Sequence, residues 1–228
     1  MKLVILAAGV GSRLGFNLPK AMVEIEPAKT ILDFQLDNFF GVIDPKDIII
    51  VVGYKKETIM ERYPQLQYLY NPDYSITNTS KSLLIALNQI KDEDVIFING
   101  DIFFTKQIAY KISQCKETTF LVNTEPTADE EIKYRLNEYG KICELSKEVK
   151  APMGESVGVN FISASDVEIV KRELETVQNM DYFEKAFENL VLKSKLEISP
   201  VYVNGEFVRE IDFLEDLQVV RDYLKENK

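Results

Sequence analysis

The chain has no histidine and no tryptophan among its 228 residues, and only two cysteines. Without histidine there can be no Ser-His-Asp triad, no His-ligated zinc and no imidazole acid–base catalyst. Cys115 and Cys143 stand far apart in no metal-ligand spacing, and read as small buried hydrophobes of a reducing compartment. No apolar run reaches the length of a membrane span. The opening Met1-Lys2 followed by apolar residues imitates a signal peptide. That run is short for one and leads straight into Gly9-Val10-Gly11-Ser12-Arg13, so a core strand of a cytoplasmic protein is expected. Basic residues are in deficit, 27 against 37 acidic, for a net charge of −10. Nucleic acid and anionic membranes are therefore poor partners. An anionic ligand would have to be held by a few local cations, which makes individual Lys and Arg residues informative.

Those cations appear at once. Leu3-Val4-Ile5-Leu6 enters Ala7-Ala8-Gly9-Val10-Gly11-Ser12-Arg13-Leu14 and closes on Pro19-Lys20. Glycines let successive N–H groups converge on one anion, and Arg13 and Lys20 add positive charge, so the segment reads as a polyphosphate cradle. It is not a P-loop, because Lys20 follows Pro19 and no Ser or Thr comes next. A dinucleotide fingerprint needs its third glycine at position 14, where Leu14 stands, with Gly15 one place late. Asp33 lies about 20 residues on, as a ribose-binding acid would, and keeps that reading as a competitor. The loop resembles that of nucleotidyltransferases acting on sugar and alcohol phosphates, at Leu6, Ala7, Ala8, Gly9, Gly11, Ser12, Arg13, Leu14, Pro19 and Lys20.

Apolar β-rich runs alternate with helical patterns through the first half, which predicts a parallel sheet with crossover helices. Strands are expected at 2–7, 48–52, 67–70, 95–99 and 118–123, then at Lys133–Leu136, Lys141–Ser146, Ser156–Ile162 and 197–203. Helices are expected around Ile31–Phe39, from Thr79-Ser80 through Leu87, from a capping box at Ser165-Asp166-Val167-Glu168, over 181–193 and over 213–226. The character changes near residue 124. The predicted fold is α/β: a Rossmann-like, mostly parallel central sheet sandwiched by helices, with a smaller lobe sharing the sheet.

Two acids follow apolar strands. Ile96-Phe97-Ile98-Asn99-Gly100-Asp101 places a carboxylate at a strand's carboxyl end, where open α/β sheets form their ligand crevice. Glu210-Ile211-Asp212-Phe213 places another before a terminal helix. Each acid could instead cap a helix, and Asp212 has the spacing to Glu215 for it. As a pair, Asp101 and Asp212 suit a hard cation such as Mg²⁺.

Over nearly its whole length the chain resembles nucleotidyltransferases of the phosphocholine cytidylyltransferase type. The resemblance rests on the glycine loop, Gly100-Asp101, Lys133-Tyr134, Ser146-Lys147, Gly154-Glu155-Ser156-Val157-Gly158, Tyr182-Phe183-Glu184 and Glu210-Ile211-Asp212-Phe213. It implies one domain over 1–228, with a nucleotide-binding half at 1–123 and an acceptor-binding half at 124–228. By the same resemblance Arg13 and Lys20 hold the triphosphate and Asp101 and Asp212 hold Mg²⁺. Lys133 and Lys147 meet the acceptor or α-phosphate, with Glu155, Tyr182 and Glu184 on the acceptor side. Leu6, Ala7, Ala8, Gly9, Gly11, Ser12 and Gly100 border the nucleotide, and Asn78, Thr79 and Ser82 lie where relatives contact the base. In this segment Thr79 or Ser80 is also placed to cap the helix. The implied reaction transfers CMP from CTP to a small phosphorylated acceptor, phosphocholine-like or another phospho-amino compound such as phosphoglutamine. Only five residues separate Arg13 from Pro19, which departs from most hexose-phosphate members. The alternatives are UTP, GTP or dTTP chemistry on a hexose 1-phosphate and a nucleotide-sensing subunit without turnover, with a dehydrogenase last.

Overall fold

The computed structural model describes residues 1–11 and 14–227. Its centre is built from strands with apolar residues on both faces. In β1 (Lys2–Ala7) Val4 and Leu6 enter one core, while Leu3, Ile5 and Ala7 enter another. β4 (Ile48–Val52), five β-branched residues, is buried throughout and pairs in parallel with β1. Strands buried on both faces belong to a parallel sheet covered by helices, as the sequence predicts. β5 (Gln67–Tyr70) extends the sheet beyond β4, and β6 (Val95–Asn99) lies on the other side of β1, both in parallel. β11 (Gly154–Ile162) then runs antiparallel to β6 and to β8 (Thr119–Val122), and β12 (Ser199–Tyr202) adds in parallel to β8. At its start β11 also pairs with β9 (Lys133–Leu136), which forms a hairpin with β10 (Ile142–Ser146). The hairpin thus branches from the main sheet.

Helices cover both faces. α1 (Ile31–Phe39) and α4 (Lys106–Ser113) close one core, with α2 (Lys56–Arg62) adding Ile59. α3 (Thr79–Leu87), α5 (Val167–Thr176) and α6 (Glu184–Leu192) close the other. Phe97, Phe120, Phe183 and Phe187 form an aromatic nucleus beneath α6, with Phe187 4.8 Å from Phe120 and 5.8 Å from Phe97. A third, smaller core joins α7 (Leu214–Glu226) to Leu14, Val23, Ile25 and Ile211. No described helix is long and apolar enough to cross a membrane.

Several expectations are corrected. The predicted strands and helices form, but α2, α4 and two short ribbons went unforeseen. The ribbons are β2 (Glu24–Glu26) with β3 (Lys29–Thr30), and β7 (Ile102–Phe104) with β13 (Val208–Glu210). The capping box expected over Ser165–Glu168 does not form: Asp166 stands at the start of α5 without a side-chain cap, and its carboxylate accepts the hydroxyls of Thr118 and Ser163. Asp33 is no ribose ligand. It forms a reciprocal cap with Thr30 at the start of α1 and is further held by Arg62 and Tyr63, which leaves the dinucleotide reading without its acid.

Phe187 is fully buried. Phe187→Ala is expected to cost about 3–5 kcal/mol of stability in urea unfolding, as large-to-small core changes do; a loss below about 1 kcal/mol would mean that α6 does not pack on this nucleus.

Candidate active site

The carboxyl ends of β1, β4 and β6 are pinned together by main-chain bonds. Gly100 N–H donates to Leu6 O at 3.0 Å, and Tyr54 N–H to Ala8 O at 3.1 Å. Gly100 must lack a side chain, because a Cβ there would lie 2.8 Å from Leu6 O. Leu6, Ala7 and Ala8 are themselves buried, so they offer main chain rather than side chains to a ligand, and Gly9 is exposed beyond them. Gly11 adopts a left-handed φ of +63°, and a Cβ on it would fall 2.5 Å from Lys20 Cγ. The loop therefore folds directly onto the stem of Lys20. Ser12 and Arg13 lie outside the described residues.

Lys20 opens a single 3-10 turn after Pro19 and carries its ammonium between two acids. It donates to Asp101 Oδ2 at 2.9 Å and also to Asp212. Burial opposes the charge on Lys20, but the two carboxylates outweigh it and hold its pKa above the usual lysine value. Asp101 does not cap a helix. It sits in the turn between β6 and β7, and its carbonyl accepts the N–H of Ile211 at 3.0 Å. Asp212 does not cap one either. Asp216 accepts the N–H groups of Asp212 and Phe213 and is held in turn by Arg209, which leaves the Asp212 carboxylate turned to Lys20.

A third acid joins them. Carboxylate oxygens of Asp101, Glu210 and Asp212 all lie within 4.8 Å of one another. Glu210 is not among the metal ligands expected from the sequence, although an i, i+2 pair on an extended segment shares one face and Glu210 and Asp212 have that spacing. Solvent reaches Glu210, yet the protein packed around it, and then the charges of Asp101 and Asp212, push its carboxyl up to about 8, with Lys20 opposing. Of these causes the like-charge crowding is the one that a cation would reverse. Three convergent oxygen donors without nitrogen or sulfur fit a hard divalent ion such as Mg²⁺.

A second cluster comes from the other half. Lys133 Nζ donates to Lys147 O at 2.9 Å. Lys147 Nζ stands 4.8 Å from the centroid of the Tyr182 ring and 3.2 Å from Glu130. Glu184, buried at the start of α6, has one oxygen without a partner among the described residues. Burial pushes its carboxyl up to about 7, against the charge of Lys147. Glu155 accepts from Asn123 Nδ2 at 2.6 Å; burial and the neighbouring Glu131 push it up to about 7 as well. Glu184 is among the charges raising Glu210, and Arg209 among those acting on Glu155, so the two clusters lie within electrostatic reach.

On the third side, Asn78 rather than Thr79 or Ser80 caps α3, accepting Thr79 N–H at 2.8 Å. Thr79 Oγ1 accepts Phe183 N–H, Ser80 donates to Asp181 O, and the buried Ser82 hydroxyl accepts from Asn71. The Thr79 and Ser80 hydroxyls thus tie the start of α3 to the start of α6. The structure groups Lys20 with Asp101 and Asp212, and Lys133 with Lys147 and Tyr182, but places Ser82 beneath the surface.

A mostly parallel sheet with a glycine loop, a lysine and converging acids at its carboxyl end defines a nucleotidyltransferase fold. The family model of the MobA-like NTP transferase domain matches residues 3–133, and the chain belongs to this family of nucleotidyltransferases. It is 28% identical over 234 residues to the choline-phosphate cytidylyltransferase of Streptococcus pneumoniae, covering 99% of each chain. It is equally 28% identical over 241 residues to the UTP–glucose-1-phosphate uridylyltransferase AglF of Haloferax volcanii, covering 99% and 97%. The solved structure of the CTP:phosphocholine cytidylyltransferase LicC of Streptococcus pneumoniae shares the fold, with a TM-score of 0.80 at 21% identity and 98% of both chains covered.

Asp101→Asn and Asp212→Asn are each expected to weaken Mn²⁺ binding, read by calorimetry, by about tenfold or more, which is about 1.4 kcal/mol. The melting temperatures should stay near that of the wild type. A large loss of stability with unchanged Mn²⁺ affinity would make both acids structural. A second expectation concerns Glu184. Its folded pKa of about 7 exceeds the ordinary 4.5, so the folded form holds a proton that the unfolded chain has lost. Stability should fall as pH rises between those values and stay lower above them, by at most about 3 kcal/mol. Glu184→Gln should remove that slope in pH-dependent melts; an unchanged slope would mean that Glu184 ionises normally.

Proposed function

We propose that the protein is a Mg²⁺-dependent cytidylyltransferase that moves CMP from CTP onto a small phosphorylated acceptor bearing an amino or ammonium group, releasing pyrophosphate. Phosphocholine-like compounds and other phospho-amino compounds such as phosphoglutamine are the acceptor class, and surface-polysaccharide decoration is the use that fits them. The observation that carries the reading is the second cluster. A tyrosine ring under Lys147, with the buried carboxyl of Glu184 within its field and the half-buried Glu155 paired across the strands with Lys133, suits a substrate that brings one phosphate and one positive charge. Similarity along the full length to a choline-phosphate cytidylyltransferase supports the nucleotide assignment.

Residues 1–123 would then hold the nucleotide and 124–228 the acceptor. Main-chain N–H groups after Ala8, with Arg13 and Lys20, would bind the triphosphate. The base would meet the start of α3 near Asn78 and Thr79. Asp101 and Asp212, joined by Glu210, would hold Mg²⁺. When bound, the ion offsets charge on the phosphates. An acceptor phosphate oxygen attacks the α-phosphorus of CTP, a new P–O bond forms, and the bond to the β-phosphate oxygen breaks as pyrophosphate leaves. The attacking oxygen is already anionic, so no general base is required of a chain without histidine. Lys133 and Lys147 would orient the acceptor phosphate and neutralise it during the approach.

The equal identity to a uridylyltransferase favours a second reading, nucleotidyl transfer to a hexose 1-phosphate. A pyrophosphate-release assay crossing CTP, UTP, GTP, ATP and dTTP with phosphocholine, phosphoethanolamine, phosphoglutamine and hexose 1-phosphates separates the two. Turnover is expected with CTP and a phospho-amino acceptor. Turnover confined to UTP, GTP or dTTP with a hexose 1-phosphate would establish the second reading, and none with any pair would exclude both.

A further inference from the structure

Gln35 projects from α1 and is completely buried. Its Nε2 donates to two main-chain carbonyls, Asn99 O at 2.9 Å and Ile102 O at 2.8 Å. Both partners are carbonyl oxygens, so the nitrogen must be the atom that faces them. Its two N–H groups are spent on the two sides of the turn that carries Gly100 and Asp101. One turn of helix further along, Asn38 Nδ2 donates to Phe104 O at 2.6 Å, so α1 grips this segment along its length. Ile102, one of the clamped residues, pairs with Glu210 in the ribbon of β7 and β13, and Asp101 O accepts Ile211 N–H. The buried Gln35 amide therefore braces both sides of the turn of Asp101 and, through the ribbon, the segment bearing Glu210 and Asp212.

We propose that Gln35 is a positioning residue for the acid cluster, setting the convergence of Asp101 with Glu210 and Asp212 and hence the affinity for a divalent ion. The inference rests on the metal-binding role proposed above for those acids. Gln35 touches no carboxylate; it acts through the backbone. Substituting Met keeps the length of the side chain and removes both donors, leaving two buried carbonyls that can be paired only if the turn moves. The turn then gains freedom that three like-charged groups would use to separate.

Mn²⁺ affinity of the purified full chain, measured by calorimetry without nucleotide, tests this. Gln35→Met should weaken Mn²⁺ binding about tenfold. Leu32→Ala, which opens a cavity under the same helix and removes no hydrogen bond to the turn, should leave it within about twofold despite a lower melting temperature. Gln35→Asn, whose shorter amide cannot span both carbonyls, supplies the same comparison where Gln35→Met does not fold. If the Gln35 variants lose no more affinity than Leu32→Ala, Gln35 is only structural and the inference fails. Asp101→Asn measured alongside separates the two levels: unchanged Mn²⁺ binding in that variant would overturn the metal site itself, and the positioning role with it.

Discussion

Three carboxylates brought within 4.8 Å of one another repel, and the candidate site exists because something holds them there. Lys20 supplies the opposing charge, at 2.9 Å from Asp101 and in contact with Asp212. Partial burial of these groups makes both the repulsion and the compensation stronger than they would be in water. Much of the local architecture serves that balance. The left-handed Gly11 lets the first loop close on the Lys20 stem, Gly100 lets β6 end against β1, and Asp216 takes over the capping of α7 so that Asp212 need not. Each is a small structural device, and together they place one cation and three anions in one crevice.

The second cluster has a related logic with a different balance. Glu155 and Glu184 are held partly or wholly out of water with too few donors, which pushes both carboxyls up to about 7. Lys147, over the Tyr182 ring and paired with Glu130, supplies positive charge nearby. A substrate carrying both a phosphate and an ammonium group would satisfy the lysine and the acids at once. A neutral sugar phosphate would satisfy only the lysine.

Much of this was legible in the sequence where local rules are strong. Strands apolar on both faces, such as 48–52, admit few arrangements other than a buried parallel sheet, and the spacing of the first loop discriminated among phosphate-binding folds. Asp101 and Asp212 were found because each follows an apolar strand. What escaped depends on partners distant in sequence. β7 and β13 are three residues each and exist only because they pair with each other. Glu210 stands in the Glu210-Ile211-Asp212-Phe213 motif, but nothing local points to its convergence with Asp101, which requires that ribbon. Gln35 looked like one more residue on the α1 period, because nothing local marks a glutamine whose partners lie more than 60 residues away. The starts of α5 and α3 fall at Asp166 and Asn78 rather than at Ser165 and at Thr79 or Ser80 for a similar reason: several residues in each stretch could cap, and tertiary contacts chose among them.

The central claim is that Asp101, Glu210 and Asp212 join a divalent ion to the nucleotide in one site. Thermodynamic linkage tests it most directly, by titrating a non-reacting CTP analogue into the wild type and the Asp101→Asn/Asp212→Asn double variant, with and without Mg²⁺. The account predicts that Mg²⁺ tightens the analogue by about tenfold or more in the wild type and by less than about twofold in the variant. Equal tightening in both proteins would contradict it.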